Sequence, residues 1–188
     1  MIPIFVSGPA VEPITLAEMK AYLRVDEDET AQDDLISGLI KAARLTVEAA
    51  SRRILIEQSW RVVLDRWPRD GVILLPLAPL IAVDAIRITN ATGTVSELPD
   101  DVFEVDALSE PPRITVSGAP EPGRIRNGIS VELRAGFGTN AEAVPATLKL
   151  AIRILVAHWF ENRGDVIGEQ ILPPEALALV APFQRARL

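Results

Sequence analysis

The 188-residue chain is acidic, because 26 aspartates and glutamates outnumber 19 lysines and arginines and give a formal net charge of −7. The length and the 48% hydrophobic content fit one globular domain. With no cysteine and a single histidine, the sequence excludes disulfides, thiolate metal sites and a multi-histidine zinc site. The negative balance also argues against sequence-reading DNA binding, which normally needs a basic patch.

Neither a secretory leader nor a membrane span is predicted. The start of the chain lacks a basic segment and is broken by prolines. The longest apolar run, GVILLPLAPLIAV, is too short and too rich in proline for a membrane-spanning helix. We therefore expect no membrane partner, and the absence of cysteine fits an intracellular, reducing origin.

The first predicted element is a short helix over about 16–24. Thr15 and Glu18 have the spacing of a capping box at its start. Met19 lies on the apolar face of this helix, together with leucines three and four residues away, and should be buried. Lys20 lies off that face and is expected to be solvated.

An acidic stretch, DEDETAQDD, follows. A calcium loop aligned on Asp26 would need glycine at its sixth position and glutamate at its twelfth, where the chain has Ala31 and Ser37. We therefore interpret the stretch as a solvated loop before a second helix, over about 31–52. Thr30 and Asp33 are predicted as a weaker capping box. The predicted apolar face comprises Ile36, Ile40, Ala43, Val47 and Ala50, widened by Leu35 and Leu39.

From about 58 to 138 the pattern changes to short strands. In SWRVVLDRW, Trp60, Val62 and Leu64 alternate with their neighbours, and turn signals and prolines separate further short runs. These features predict a small, mainly antiparallel β region inserted between helices.

The chain then returns to helix, with one long helix near 145–163 and a C-terminal helix that starts near Pro174 and is interrupted at Pro182. The predicted fold class is α+β: a helical core of two N-terminal helices, the long helix and the C-terminal helix, with the inserted β region.

His158 is the one candidate for acid–base chemistry. Glu161, three residues on, could share its face, but the sequence contains no recognisable nucleophile motif. A histidine that ends a packing helix is the favoured interpretation. The RGD tripeptide that comes next fits a helix stop, with Gly164 as the residue after the helix. GFGTNA lacks the βαβ context of a dinucleotide-binding loop. We expect no catalytic residue, metal or cofactor.

The order of these elements resembles a known family. PITLAEMKAYLRVDEDETAQDDLISGLIKAARLTVEAASRRIL is followed by QSWRVVLDRWP and ILLPLAPLIAVDAI. VELRAGFG, VPATLKLAIRILVAHWFENRGDV and a proline-led last helix complete the series. The combination resembles the head–tail connector (adaptor, or head-completion) proteins of tailed bacteriophages and phage-like gene-transfer particles. The resemblance lies in the ordered combination, because no single segment is specific.

The resemblance implies a structural protein and not an enzyme. It implies a single connector domain over 1–188, with a β-rich insertion at about 58–138 and a C-terminal arm at about 174–188. Such proteins form a homo-oligomeric ring beneath the portal, with twelve copies expected, and DNA passes through without sequence-specific binding. The ring would meet a neck, stopper or tail-completion protein in the particle, after assembly in the host cytoplasm.

Two segments are expected to make contacts in such a ring. Trp159 and Phe160 should pack against the helical bundle or a neighbouring subunit. The C-terminal FQRARL could be a frayed end, or it could dock into the portal. The predicted portal-contacting residues are Phe183, Arg185, Arg187 and Leu188. A monomeric binding module and a hydrolase using His158 are the alternative functions.

Overall fold

A computed structural model of the chain describes residues 1–162 and 172–184. The chain divides into two compact units. One combines Met1–Ala10 with Glu57–Gly138, and the other combines Val11–Ile56 with Thr139–Leu188. The first is built from strands and the second from helices, which confirms the α+β class.

The β unit contains two antiparallel sheets. Its strands are β1 (Ile2–Ser7), β2 (Gln58–Leu64), β3 (Val72–Leu74), β4 (Leu80–Thr89), β5 (Val95–Glu97), β6 (Phe103–Asp106), β7 (Arg113–Val116) and β8 (Ile129–Ala135). The larger sheet has the order β1-β2-β8-β4-β5, and the smaller has the order β3-β7-β6. All the pairings are antiparallel, as the sequence predicts.

The core face of the larger sheet centres on β8, whose alternate residues are buried. Val131 of β8 pairs with Val62 on one side and with Ile86 on the other. All three side chains are fully buried, and each such burial stabilises the fold by roughly 1.5–3 kcal/mol. This row of branched side chains fixes the register of the three central strands.

The β1 strand was not predicted from the sequence, in which the start of the chain stands out only as a stretch broken by prolines. The structure places it at one edge of the larger sheet, paired with β2 alone. A proline is tolerated at an edge, since its missing N–H removes no ladder bond when it faces outward.

The helical unit contains α1 (Leu16–Leu23), α2 (Asp33–Ser51), α3 (Ala146–Glu161) and α4 (Pro174–Val180). The capping box of α1 is confirmed. The Glu18 N–H donates to Thr15 Oγ1 at 3.2 Å, and the Thr15 N–H donates to Glu18 Oε2 at 2.8 Å. Arg24 ends the helix in the left-handed region, with φ of 58°.

Two expectations for α2 are wrong. The helix begins at Asp33 after Gln32, and no side chain caps it, so the capping box of Thr30 and Asp33 does not form. Leu35 is exposed rather than part of the buried face. Ile36, Ile40, Ala43 and Val47 are buried as predicted, whereas Leu39 and Ala50 are only half-buried.

Lys20 is buried, not solvated, and only 3% of its surface is exposed. Its ammonium donates to the carbonyl oxygens of Glu27 and Glu29, each at 2.7 Å, and to Asp33 Oδ1 at 2.9 Å. The carboxylates at 26–29 are themselves exposed, which confirms a solvated acidic loop. The lysine therefore attaches the backbone of this loop to the start of α2.

Candidate assembly surfaces

The predicted acid–base pair at the end of α3 is not a connected pair. His158 is exposed, and its neighbour is Asn162, whose Nδ2 lies 3.4 Å from His158 Nδ1 and donates to the His158 carbonyl at 2.8 Å. Across residues 1–162 and 172–184, no hydrogen bond or ion pair joins Glu161 to His158. The arrangement is that of a helix end closed by an asparagine. The tripeptide at 163–165 lies outside the described residues.

Trp159 and Phe160 are both half-buried on α3. That exposure leaves part of each ring available to a neighbour. Their predicted packing, against the helical bundle or a neighbouring subunit, stays a prediction.

Residues 174–184 of the predicted C-terminal arm are packed onto the helical unit. Ala176 and Val180 are fully buried, and Gln184 Nε2 donates to the Ala50 carbonyl at 3.1 Å. Phe183 is half-buried. Arg185, Arg187 and Leu188 lie outside the described residues. Up to Gln184, the predicted arm is therefore part of the helical unit and does not extend freely from it.

Charged side chains cross the polar face of the larger sheet. Glu132 of β8 accepts from Arg87 of β4 at 2.6 Å and from Arg61 of β2 at 3.0 Å, and Arg87 also lies 3.2 Å from Glu97 of β5. The hydrogen bond from Arg87 is the main cause of a lowered pKa at Glu132, and the same contact raises the pKa of Arg87. This ladder of alternating charges links four strands.

A second cluster on the same sheet surrounds Arg134. Its Nε lies 3.0 Å from Asp84 Oδ1, and its Nη1 lies 3.4 Å from Glu57. The bond to Asp84 is the main cause of the raised pKa of Arg134. Arg61, Arg87 and Arg134 are therefore each balanced by carboxylates. The alternation in ISVELRA places Glu132 and Arg134 on one face, a signal that the sequence analysis did not use.

The β1 strand carries an exposed apolar surface. All six of its residues are exposed. Phe5 packs edge-to-face on Trp60 of β2, with ring centroids 5.3 Å apart. The Trp60 Nε1 donor is buried and has no hydrogen-bond partner among the described residues, an arrangement that costs about 1–3 kcal/mol. At this edge of the larger sheet, the exposed Phe5 ring on β1 and the half-buried Trp60 ring on β2 are therefore both apolar.

Metal-binding clusters and membrane-spanning helices are absent from the described ranges. No group of three or more histidine or acidic side chains there could hold a metal ion. Within the same residues, no helix is both long and apolar enough to cross a membrane. The surfaces that remain as candidates are the charged ladder, the β1 edge and the exposed ends of α3 and α4.

Comparison with known proteins identifies the family that the chain resembles. Residues 13–97 match the model of the phage gp6-like head-tail connector proteins. The resemblance to head–tail connector proteins is confirmed. In this chain, the matched segment runs from the capping box of α1 through α2 to β5. No curated protein sequence matches the chain.

Solved structures of gene transfer agent (GTA) particles match the whole connector-like chain. The neck of an empty GTA particle computed with C6 symmetry and the virion of a native GTA particle each align with a TM-score of 0.83 and 27% identity. The neck of a native particle computed with C12 symmetry aligns with a TM-score of 0.77 and 26% identity. Each alignment covers 100% of this chain and 97% of the other. These matches support a connector role in the neck of a phage-like particle.

Proposed function

We propose that the chain is a structural subunit of a closed ring that joins the head of a tailed phage or gene-transfer particle to its neck or tail. The observation that carries the proposal is the alignment of the whole chain, at a TM-score of 0.83, with a protein of the GTA neck. A related neck structure was computed with C12 symmetry, and we accordingly propose twelve copies. Ring closure needs a heterologous contact, in which two different faces of each copy meet.

The ring is proposed to lie beneath the portal and to extend the DNA channel. The net charge of −7 supports passage of DNA without tight binding, because affinity for phosphates comes from unpaired lysine and arginine. The sheet arginines Arg61, Arg87 and Arg134 are each held by carboxylates, so they contribute little attraction for phosphate.

Portal binding is proposed for the C-terminal segment, through Phe183, Arg185, Arg187 and Leu188. A neck, stopper or tail-completion protein would bind the opposite face of the ring. Assembly would take place in the host cytoplasm, and the finished ring would stay in the particle. No bond is made or broken in this role.

Electron microscopy of the full chain mixed with the portal protein of the same genome tests the proposal. We expect a ring of density on the narrow end of the portal, with a copy number that can be counted. Bare portals at high protein concentration would favour a monomeric binding module. In that case, an activity lost on His158→Ala with the fold intact would favour the enzyme alternative.

The C-terminal contact needs a short truncation. Deleting 174–188 would remove the buried side chains of Ala176 and Val180 and so damage the core. A chain ending at Gln184 keeps α4 intact. We expect this chain, which keeps Phe183 but lacks the other three proposed contacts, to fold normally and to bind the portal more weakly. Glu161→Gln, at an exposed helix end, should bind as the parent does. Undiminished binding by the truncated chain would contradict the assignment.

A further inference from the structure

We propose that an exposed face of α2 in one copy of this chain packs against an exposed face of α3 in the next copy. The inference rests on the proposed ring and names the two different faces that such a ring needs. Both helices belong to the helical unit, and they pack against each other within one copy.

The outer face of α2 is a continuous stripe of apolar and small residues. Residues spaced alternately by three and four lie on one side of a helix, and every residue of this set is exposed: Leu35, Gly38, Ala42, Leu45 and Ala49. Its two leucines are 40% and 54% exposed. The residues that α2 buries in the unit lie on the opposite side of the helix. A helix in a globular protein covers its apolar stripe with a neighbour, and a second stripe on the far side therefore predicts a second neighbour.

Gly38, in the middle of this face, is not required by the packing of one copy. Glycine weakens the interior of a helix relative to alanine, and a Cβ built on Gly38 meets no atom within 4 Å. Gly38 and Ala42, one turn apart, lie between the larger Leu35 and Leu45, so the surface is lowest there. Small residues at such a place let the axis of a second helix approach closely.

The outer face of α3 supplies larger side chains. Leu150 is 38% exposed, and Ile154 and Ala157, at the next helical positions on the same side, are half-buried. This side of α3 lies opposite the residues that the helix buries in the unit. Because the side chains of one helix pack into the grooves of another, the branched Leu150 and Ile154 can fill the space above Gly38 and Ala42. The two outer faces are thus complementary in size.

The arrangement of the two faces identifies the occupant as a second copy. Since α2 and α3 pack against each other through their buried sides, their outer faces point away from the helix pair in opposite directions. In a cyclic ring, each copy presents one face to the copy before it and a different face to the copy after it. A complementary stripe on each side of one helix pair meets this requirement, whereas docking of an unrelated protein would need a stripe on one side only.

Cysteine crosslinking tests the identity of the occupant, because the native chain contains no cysteine. Two single variants of the full chain, Ala42→Cys and Leu150→Cys, are mixed in the presence of the portal and treated with a short bismaleimide. We expect a product of two chains in this mixture, and far less of it when either variant is treated alone. The matched control pairs Ala42→Cys with Leu108→Cys, at a position that is 98% exposed in the β unit, and should give little product.

Three results of the crosslinking would overturn the inference. Products formed by Ala42→Cys alone would indicate a symmetric contact between two α2 helices. Products with the portal only would show that another protein covers the face. Rings without any crosslink between copies would place the contact between copies elsewhere.

A substitution at Gly38 separates association from folding. Gly38→Leu fills the low part of the outer face, and we expect it to raise the protein concentration needed for rings on the portal by about tenfold or more. The same variant should melt at the temperature of the parent or higher, since leucine favours a helix over glycine and the site has room for a side chain. Ser37→Leu, exposed on the same helix but off the outer face, is the control and should leave ring formation unchanged.

The outcome for the contact is distinct from the outcome for the ring. Circular dichroism establishes that the variants fold, and electron microscopy counts the rings. Rings that form equally with Gly38→Leu and with the parent would overturn the inference and leave the proposed ring standing. If the parent chain itself forms no ring on portals, the proposed function fails, and this contact fails with it.

Discussion

Arg44 and Glu48, one turn apart on α2, form a buried ion pair in which Arg44 Nη1 lies 3.0 Å from Glu48 Oε2. Only 5% of the surface of Arg44 and 8% of the surface of Glu48 are exposed. Arg44 Nε also lies 2.7 Å from Glu12, and Glu48 Oε1 accepts the Leu55 N–H at 2.9 Å. The pair thus ties the segment before α1 and the segment after α2 to the longest helix.

Replacing the arginine should therefore destabilise the helical unit strongly. Arg44→Met removes the ion pairs that Arg44 makes with Glu48 and Glu12, and breaking a buried pair from one side costs about 3–5 kcal/mol. The free energy of unfolding in urea measures the loss. Lys41→Met, an exposed cation on the same helix, is the control and should change stability by less than about 0.5 kcal/mol. Equal losses in both variants would show that the buried pair adds nothing.

Lys20 gives a second test, directed at the acidic loop. Lys20→Met removes a charged donor from two carbonyls and from Asp33, and we expect a loss of about 2 kcal/mol in the free energy of unfolding. The lysine contacts the main chain of Glu27 and not its carboxylate, so Glu27→Gln should leave stability unchanged. A loss of similar size in Glu27→Gln would mean that the overall charge of the loop matters rather than the hydrogen bonds.

Local signals in the sequence were sufficient for part of this fold. The capping box of Thr15 and Glu18 was predictable because both partners lie within one helical turn. Lys20 was misjudged because its partners lie seven to thirteen residues downstream and meet it only when the loop folds back. Helical periodicity indicates which side of a helix is apolar, but not whether a neighbouring element covers that side. Leu35 was predicted to be buried for that reason, and it is exposed.

The surfaces were harder to predict than the elements. A strand whose two faces are both exposed has no hydropathy pattern that distinguishes it from a loop, which is why β1 was missed. The partners in the sheet ladder, such as Arg61 and Glu132, are 71 residues apart in sequence. Their contact depends on strand order, which the sequence alone did not fix. The family resemblance led to the connector role, whereas His158, taken alone, indicated only the end of a packing helix.

The Arg87–Glu132 contact predicts a modest coupling energy that depends on salt. A double-mutant cycle with Arg87→Ala and Glu132→Ala should give a small coupling energy at low ionic strength, since both side chains are partly exposed. The coupling should fall in molar salt, where screening is effective within a few ångströms. The cycle for Arg44 and Glu48, which are buried, should keep most of its coupling energy. A coupling for Arg87 and Glu132 that does not change with salt would contradict the assignment as a surface pair.

The turn between β6 and β7 predicts a pH effect that one serine controls. Asp106 accepts from the Ser109 hydroxyl at 2.5 Å, from the Ser109 N–H at 2.9 Å and from Arg113 at 2.9 Å. These bonds, chiefly the one from the hydroxyl, lower the pKa of Asp106 from 3.8 to about 2. Since the folded-state pKa is depressed, the stabilising effect is complete above about pH 4 and is lost as the pH falls towards 2.

Titration of the Asp106 carboxyl by NMR should show the low pKa in the parent chain and a value closer to 3.8 in Ser109→Ala. Ser117→Ala, an exposed serine just beyond β7, should leave the pKa unchanged. An unchanged Asp106 pKa in Ser109→Ala would assign the effect to the Ser109 N–H and Arg113 instead of the hydroxyl.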